Sequence, residues 1–232
     1  MIRIVCLAAA LAGLAGCGLI DSEMATVDLD LPEQQVIVDT ADWELTDEGQ
    51  MPAVECAETP HVCANRVDTW CGANDICAAS CNGNTCEVNI LVSLWHTVDL
   101  DAEAPELQQL DGQPLVNVMI DRVAFTVSDN TLNMATRPLT VSIAPEGVIS
   151  TAGRDAQVIG TIPAIQPGQT IDDVDLELTA DGRVTLAERM STYQVPFNVI
   201  VGSTVALRAG DDVPSGRLVA GIRVSAHART GL

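Results

Sequence analysis

Phe197-Asn198-Val199-Ile200-Val201-Gly202-Ser203-Thr204-Val205-Ala206-Leu207 decides the fold class. Phe197, Val199, Val201, Val205 and Leu207 recur with a period of two, the spacing that puts side chains on one face of a strand and buries them against a core. Ala209-Gly210-Asp211-Asp212-Val213-Pro214-Ser215-Gly216 then breaks the pattern with turn-forming residues. Leu218, Ala220, Ile222 and Val224 resume it. Two alternating runs around such a turn predict a terminal β-hairpin.

The same period extends upstream. Val27, Leu29 and Leu31 alternate with Thr26, Asp28 and Asp30 and predict a half-buried first strand. Val88, Ile90, Val92, Leu94, Val98 and Leu100 share one face of a long strand, with His96 on that same face. Val116, Val118 and Ile120 begin another run, but Val123, Phe125 and Val127 have opposite parity. One extra residue near Asp121-Arg122 restores a common face, which predicts a β-bulge there. Leu139, Val141 and Ile143 form a shorter strand, and Val174, Leu176 and Leu178 follow the loop at Pro167-Gly168. Two segments read as helical. Ala102 to Leu110 is short; Asp181 to Thr192 carries Val184, Ala187 and Met190 at helical spacing. The expected fold is therefore all-β: an antiparallel, immunoglobulin-like β-sandwich with one short helix before the last hairpin and a disulfide-rich insertion.

A resemblance bears on the same region. Gly160-Thr161-Ile162-Pro163, Pro167-Gly168, a strand, a helix and Pro196-Phe197-Asn198-Val199-Ile200-Val201-Gly202 occur in an order similar to the sandwich of late-embryogenesis-abundant type 2 and WHy domains. It covers residues 110–228 and implies fold only. The Asn-Pro signature of those domains has no counterpart at Asn133-Met134-Ala135.

The cysteines divide into three sets. Cys6 lies in an apolar N-terminal run and Cys17 closes it. Cys56, Cys63, Cys71, Cys77, Cys81 and Cys86 crowd into 31 residues. An even number at this density, in an oxidising compartment, predicts three disulfides, with connectivity open. The residues around them (Ala, Asn, Asp, Gly and Thr) are poor core formers, so crosslinks are expected to hold this stretch by limiting its unfolded entropy. Zinc would want closer thiolates: no C-x-x-C occurs, although His61 stands two residues before Cys63. Trp70-Cys71-Gly72 resembles the start of a thioredoxin-type site, but the next cysteine, Cys77, is too far along the chain for a redox pair within one helical turn.

Arg3, the apolar run Ile4 to Leu14, and Leu14-Ala15-Gly16-Cys17 resemble a bacterial lipoprotein signal with its lipobox. The resemblance implies a cleaved segment at 1–16, an acylated Cys17 with a tether through residue 24, and a β domain over 25–232 containing the excursion 56–86. Palmitate-type chains on Cys17 would anchor the protein to a membrane, since two or more acyl chains hold stably where one does not. Gly18 in place of Asp implies sorting to the outer membrane. The leaflet it faces and its oligomeric state are open at this point.

Charge excludes some functions. The net charge is −21, and every one of the 11 basic residues is arginine. Such a chain is repelled by nucleic acid, which is not an expected partner. Without lysine there is no P-loop and no Schiff base. No G-x-S-x-G or H-E-x-x-H motif is present. His61, His96 and His227 are the only histidines. His227 shares a strand side with Arg217, Arg223 and Arg229, a row suited either to an acidic partner or to the domain's own carboxylates. Asp172, Asp173, Asp175 and Glu177 offer oxygens for calcium but lack a glycine-punctuated binding loop. No catalytic, metal or cofactor residue is assigned. The expected role is non-enzymatic: structure or binding at the envelope, towards another envelope protein or polymer, with the cysteine-rich loop as contact surface. The alternative is a periplasmic carrier of a small apolar ligand or lipid.

Overall fold

The computed structural model describes residues 26–43, 45, 49–51, 53–56, 60–71, 76–108 and 115–230. In chain order these form β1 (Thr26–Asp30), β2 (Gln34–Asp39), a 3-10 turn (Thr40–Trp43), α1 (Pro60–Cys71), β3 (Cys77–Asn82) and β4 (Thr85–Val98). Then come α2 (Leu100–Glu103), α3 (Pro105–Gln108), β5 (Leu115–Asn130), β6 (Leu139–Pro145) and β7 (Gln157–Ile162). β8 (Ile171–Asp175), β9 (Glu177–Leu178), α4 (Ala180–Ser191), β10 (Phe197–Leu207) and β11 (Arg217–Thr230) complete the chain.

The strands make two antiparallel sheets that bury one shared apolar core, so the chain is an all-β sandwich. The first sheet runs β1-β11-β5-β8, and the second runs β3-β4-β10-β6-β7-β9. β1 lies opposite Ser225 to Arg229 of β11, and β2 lies opposite Arg217 to Ile222. Together they act as one edge strand broken at Leu31-Pro32-Glu33. Proline sits there without loss, because an edge position need not donate to the ladder; Leu31 N still donates to Val224 O at 3.0 Å.

The terminal hairpin is not formed. β10 pairs with β4 and β6, whereas β11 pairs with β1, β2 and β5, so residues 208–216 carry the chain from one sheet to the other. Both strands do bury the apolar faces their alternation indicates. Facing each other across the core satisfies that pattern as well as pairing would. A second crossing divides 174–178: β8 pairs with β5, Leu176 is buried, and Glu177-Leu178 pairs with β7 in the other sheet. Val174, placed with the core in the sequence reading, is exposed.

The bulge forms where parity requires it. Ile120 lies opposite Ala226 and Arg122 opposite Ser225, which leaves Asp121 as the extra residue. The strand expected over Val88 to Leu100 ends at Val98, and Leu100 opens α2. The helix expected from Ala102 splits into α2 and α3 because Ala104, preceding Pro105, is extended at φ −114° and ψ 91°; a residue before proline is disfavoured in the helical region. Gln109 and Leu110 lie outside the described residues.

α4 is present where expected, with Thr179 as its N-cap: Gly182 N donates to Thr179 Oγ1 at 2.9 Å. Its buried face is Gly182, Leu186 and Met190; of the expected stripe, Met190 is buried and Ala187 packs partly against the core, while Val184 is 57% exposed. Gly182 sets this rotation. A Cβ there would lie 2.4 Å from Ile159 O, so the helix approaches β7 more closely than any larger residue permits.

The cysteine-rich excursion also differs from expectation. It contains α1, and it has a small core of its own. Cys63, Val67, Trp70 and Cys71 on one side of α1 pack with Met51, Val88, Ile90 and Leu207. This lobe lies at the Cys86 end of β4. The other end of β4, at Val98, is beside α2, where Gln34 Nε2 donates to Glu103 Oε2 at 2.7 Å. Since β2 starts at that pole and β1 precedes it in the same direction, the chain enters the sandwich at the pole opposite the lobe.

Candidate functional site

Three regions bring together the residues that the sequence singles out. The first is the lobe. Its disulfides join Cys56 to Cys81, Cys63 to Cys86 and Cys71 to Cys77, closing spans of 25, 23 and 6 residues. Cys81 and Cys86 face each other directly across the β3–β4 turn, yet each bonds a more distant partner. The turn is thereby tied to α1 through Cys63 and to the segment before it through Cys56. With all six sulfurs bonded, no thiolate remains beside His61, which is exposed on α1. Among the described residues no group of three or more His, Cys, Asp or Glu is arranged to hold a metal. The lobe is fixed to the sandwich by Arg208, which donates to Glu87 at 2.7 Å and holds that carboxyl below its ordinary value of 4.5. Met51 N donates to Asp211 O, and Gly210 N to Met51 O, each at 2.8 Å.

The second region is the outer face of the first sheet. Here the basic row meets carboxylates of the same domain. Arg223 reaches Glu33 at 3.0 Å and Asp173 at 3.6 Å, and Arg122 reaches Asp173 at 2.8 Å as well as Asp175. Hydrogen bonding to Arg122 holds the Asp173 carboxyl below its usual range and raises the guanidinium in turn. His227 Nδ1 lies 2.8 Å from Asp121 Oδ1. The bulge has a direct consequence here, since Asp121 is the residue it inserts opposite the strand that carries His227. Two of the four carboxylates weighed for calcium are thus engaged by arginines. Arg217 and Arg229 remain exposed. His96 is half-buried opposite Val199, towards the far end of β4.

The third region was not picked out by motif. β3 covers β4 only from Thr85 to Ile90. Leu91 N donates to Ile76 O at 2.7 Å, and beyond it no strand among the described residues pairs on that side of β4. A cleft of about 270 Å³ opens there between Gln35, Val36 and Ile37 of β2 and Leu94 and Trp95 of β4. Trp95 is 50% exposed and Ile37 42%. The signal available in the sequence was an eight-residue run, Leu91 to Val98, with no charge in a chain where 19% of residues are charged.

Between the sheets the cavities are small, about 40 Å³ beneath Val38, Leu132 and Leu139 and about 20 Å³ beneath Val36, Leu94 and Val201. Among the described residues no helix is long and apolar enough to cross a membrane. Cys17, the expected lipid attachment, and the signal and tether at 1–24 lie outside the described residues. No family model, no curated protein and no solved structure matches this chain.

Proposed function

We propose that this is an envelope lipoprotein, anchored to the outer membrane through acyl chains on Cys17, with a non-enzymatic binding or structural role carried by the disulfide lobe. The observation behind this reading is the separation of the two poles: the chain enters the sandwich at Thr26, and the braced lobe lies at the other end. Only residues 18–25 stand between Cys17 and β1. Fully extended they reach roughly 30 Å, so an acylated Cys17 would keep the entry pole near the bilayer and point the lobe away from it. Three crosslinks and a private core make the lobe a rigid surface at the end of a rigid stalk, the arrangement in which loops commonly carry binding. The cavities between the sheets fall far below the roughly 300 Å³ or more of a lipid carrier's pocket. A larger cleft of about 800 Å³ is open and lined by charged and polar groups such as Asp39, Asn133, Asp212 and Arg217, which favours this reading over a carrier of an apolar ligand.

Mass spectrometry of the N-terminal peptide tests the anchor: acylated Cys17 as the first residue is expected, and an unmodified Cys17 within a longer N-terminus would overturn it. Photo-crosslinkers at the exposed α1 positions Asp68 and Thr69 test the lobe in intact cells. A discrete adduct that disappears when Cys63 and Cys86 are both replaced by alanine is expected. The absence of any adduct at either position would remove the lobe as the contact surface.

A further inference from the structure

We propose that the outer edge of β4, from Ser93 to Thr97, accepts an extended segment of a partner protein, apolar at alternate positions and flanked by lysine or arginine, as an added strand. This goes beyond the lobe and the anchor and depends on neither.

The backbone points to it first. Strand residues turn both N–H and C=O to alternate sides. Leu91 N faces away from β10, towards Ile76. Ser93, Trp95 and Thr97 therefore direct their main-chain groups outward, while the residues between them bond β10. Among the described residues these outward groups have no strand partner. Such a row is a template for another chain.

Among the described residues the β1–β2, β8 and β9 edges are defended, and β3, itself without charge or proline, is held by α1 and by the disulfides at Cys77 and Cys81. The outer edge of β4 has none of these protections. The β1–β2 edge carries Asp28, Asp30, Pro32 and Asp39. The β8 edge carries Asp172, Asp173 and Asp175 and is kinked by Asp173 at φ 48°. β9 is only two residues long. Charges, proline, kinks and brevity are the devices by which proteins prevent stray pairing. Leu91 to Val98 has no charge and no proline, and its register with β10 is unbroken. An open edge of this kind would be a liability in a free protein; it fits one that is occupied.

The surroundings specify the occupant. Trp95, Leu94, Ile37 and Val36 form an apolar cleft along the edge, suited to alternate side chains of an incoming strand. No basic residue lines it. Carboxylates stand at its two ends, Asp39 closing β2 and Asp99, Asp101 and Glu103 following β4. A second copy of this chain would bring another −21 charge to the contact, which opposes self-pairing and favours a basic segment. The exposed indole of Trp95 also offers a face for a cationic flank.

The test uses the detergent-solubilised full chain and a fluorescent peptide of alternating valine and threonine with a lysine pair at each end. Binding by anisotropy is expected, with slowed amide exchange at Ser93, Trp95 and Thr97. Replacing the lysines by glutamates should weaken binding about tenfold or more. Ser93→Pro and Thr97→Pro remove outward main-chain donors and leave the main-chain ladder to β10 in place, the second also giving up the hydrogen bond from Thr97 Oγ1 to Asn198; each should weaken binding about tenfold. Trp95→Lys, which leaves the backbone intact, should do so through charge and loss of the apolar contact. No binding, equal binding of the two peptides, or binding untouched by all three substitutions would overturn the proposal. So would protection of the three amides that rises with protein concentration in the absence of peptide, because the occupant would then be a second copy.

Discussion

Glu87 sits where the lobe joins the sandwich, and its carboxyl is held down chiefly by the hydrogen bond from Arg208. A carboxyl whose folded value is depressed stabilises the protein while it is ionised in both states; that contribution disappears as pH falls through the folded value, below 4.5. Asp173, held by Arg122, acts in the same direction. Glu87→Gln should therefore flatten the acid side of the stability profile and leave the neutral side little altered apart from the lost ion pair. Urea midpoints from about pH 6 to about pH 3 measure this, and an acid limb as steep as that of the parent chain would contradict it. At this scale the sequence was legible in part. Parity alone located the extra residue near Asp121-Arg122, but nothing in the sequence links Asp121 to His227, or Arg122 to Asp173 and Asp175. Those contacts depend on strand neighbours rather than on spacing.

At the scale of elements, alternation identified which residues face the core and left their neighbours undetermined. Phe197 to Leu207 and Leu218 to Val224 are strands as read, yet they lie in opposite sheets. A period of two marks a buried face, and a sandwich offers two sheets to bury it against. β2, β3 and β7 escaped notice because Gln, Ala, Ser and Gly dilute their alternation. α1 was hidden for a different reason. Its buried residues, Cys63, Val67, Trp70 and Cys71, do follow helical spacing once cysteine is counted as apolar. In α4 the stripe holds at Ala187 and Met190 and fails at Val184, since Gly182 carries no apolar signal and yet makes the closest contact. Leu186→Ala should accordingly cost about 2–5 kcal/mol, while Val184→Ser should change stability by about 0.5 kcal/mol or less. Equal losses in thermal or urea unfolding would restore the Val184 face as the buried one.

For the molecule as a whole, the pairing of the six cysteines could not be read from their order, because it depends on α1 folding back over the β3–β4 turn. The two classes of crosslink should differ in weight. On the chain-entropy account, the Cys63–Cys86 bond, closing 23 residues, contributes about 3.4 kcal/mol, and the Cys71–Cys77 bond, closing 6, about 2.2 kcal/mol. Replacing each pair by alanine and following unfolding should reproduce that order; the reverse order would show that the lobe's small core, not loop closure, governs its stability.

The placement of β11 has a kinetic consequence. Among the described residues, the strands within 26–39 find their only ladder partner in residues 217–229, and the long central strand β5 also waits for them. The first sheet thus stays unzipped until residues 217–229 have been synthesised, and contacts this remote in sequence form slowly. A nascent chain that cannot close early remains threadable, which is the state that the proposed export to the envelope requires of it before it collapses on the far side.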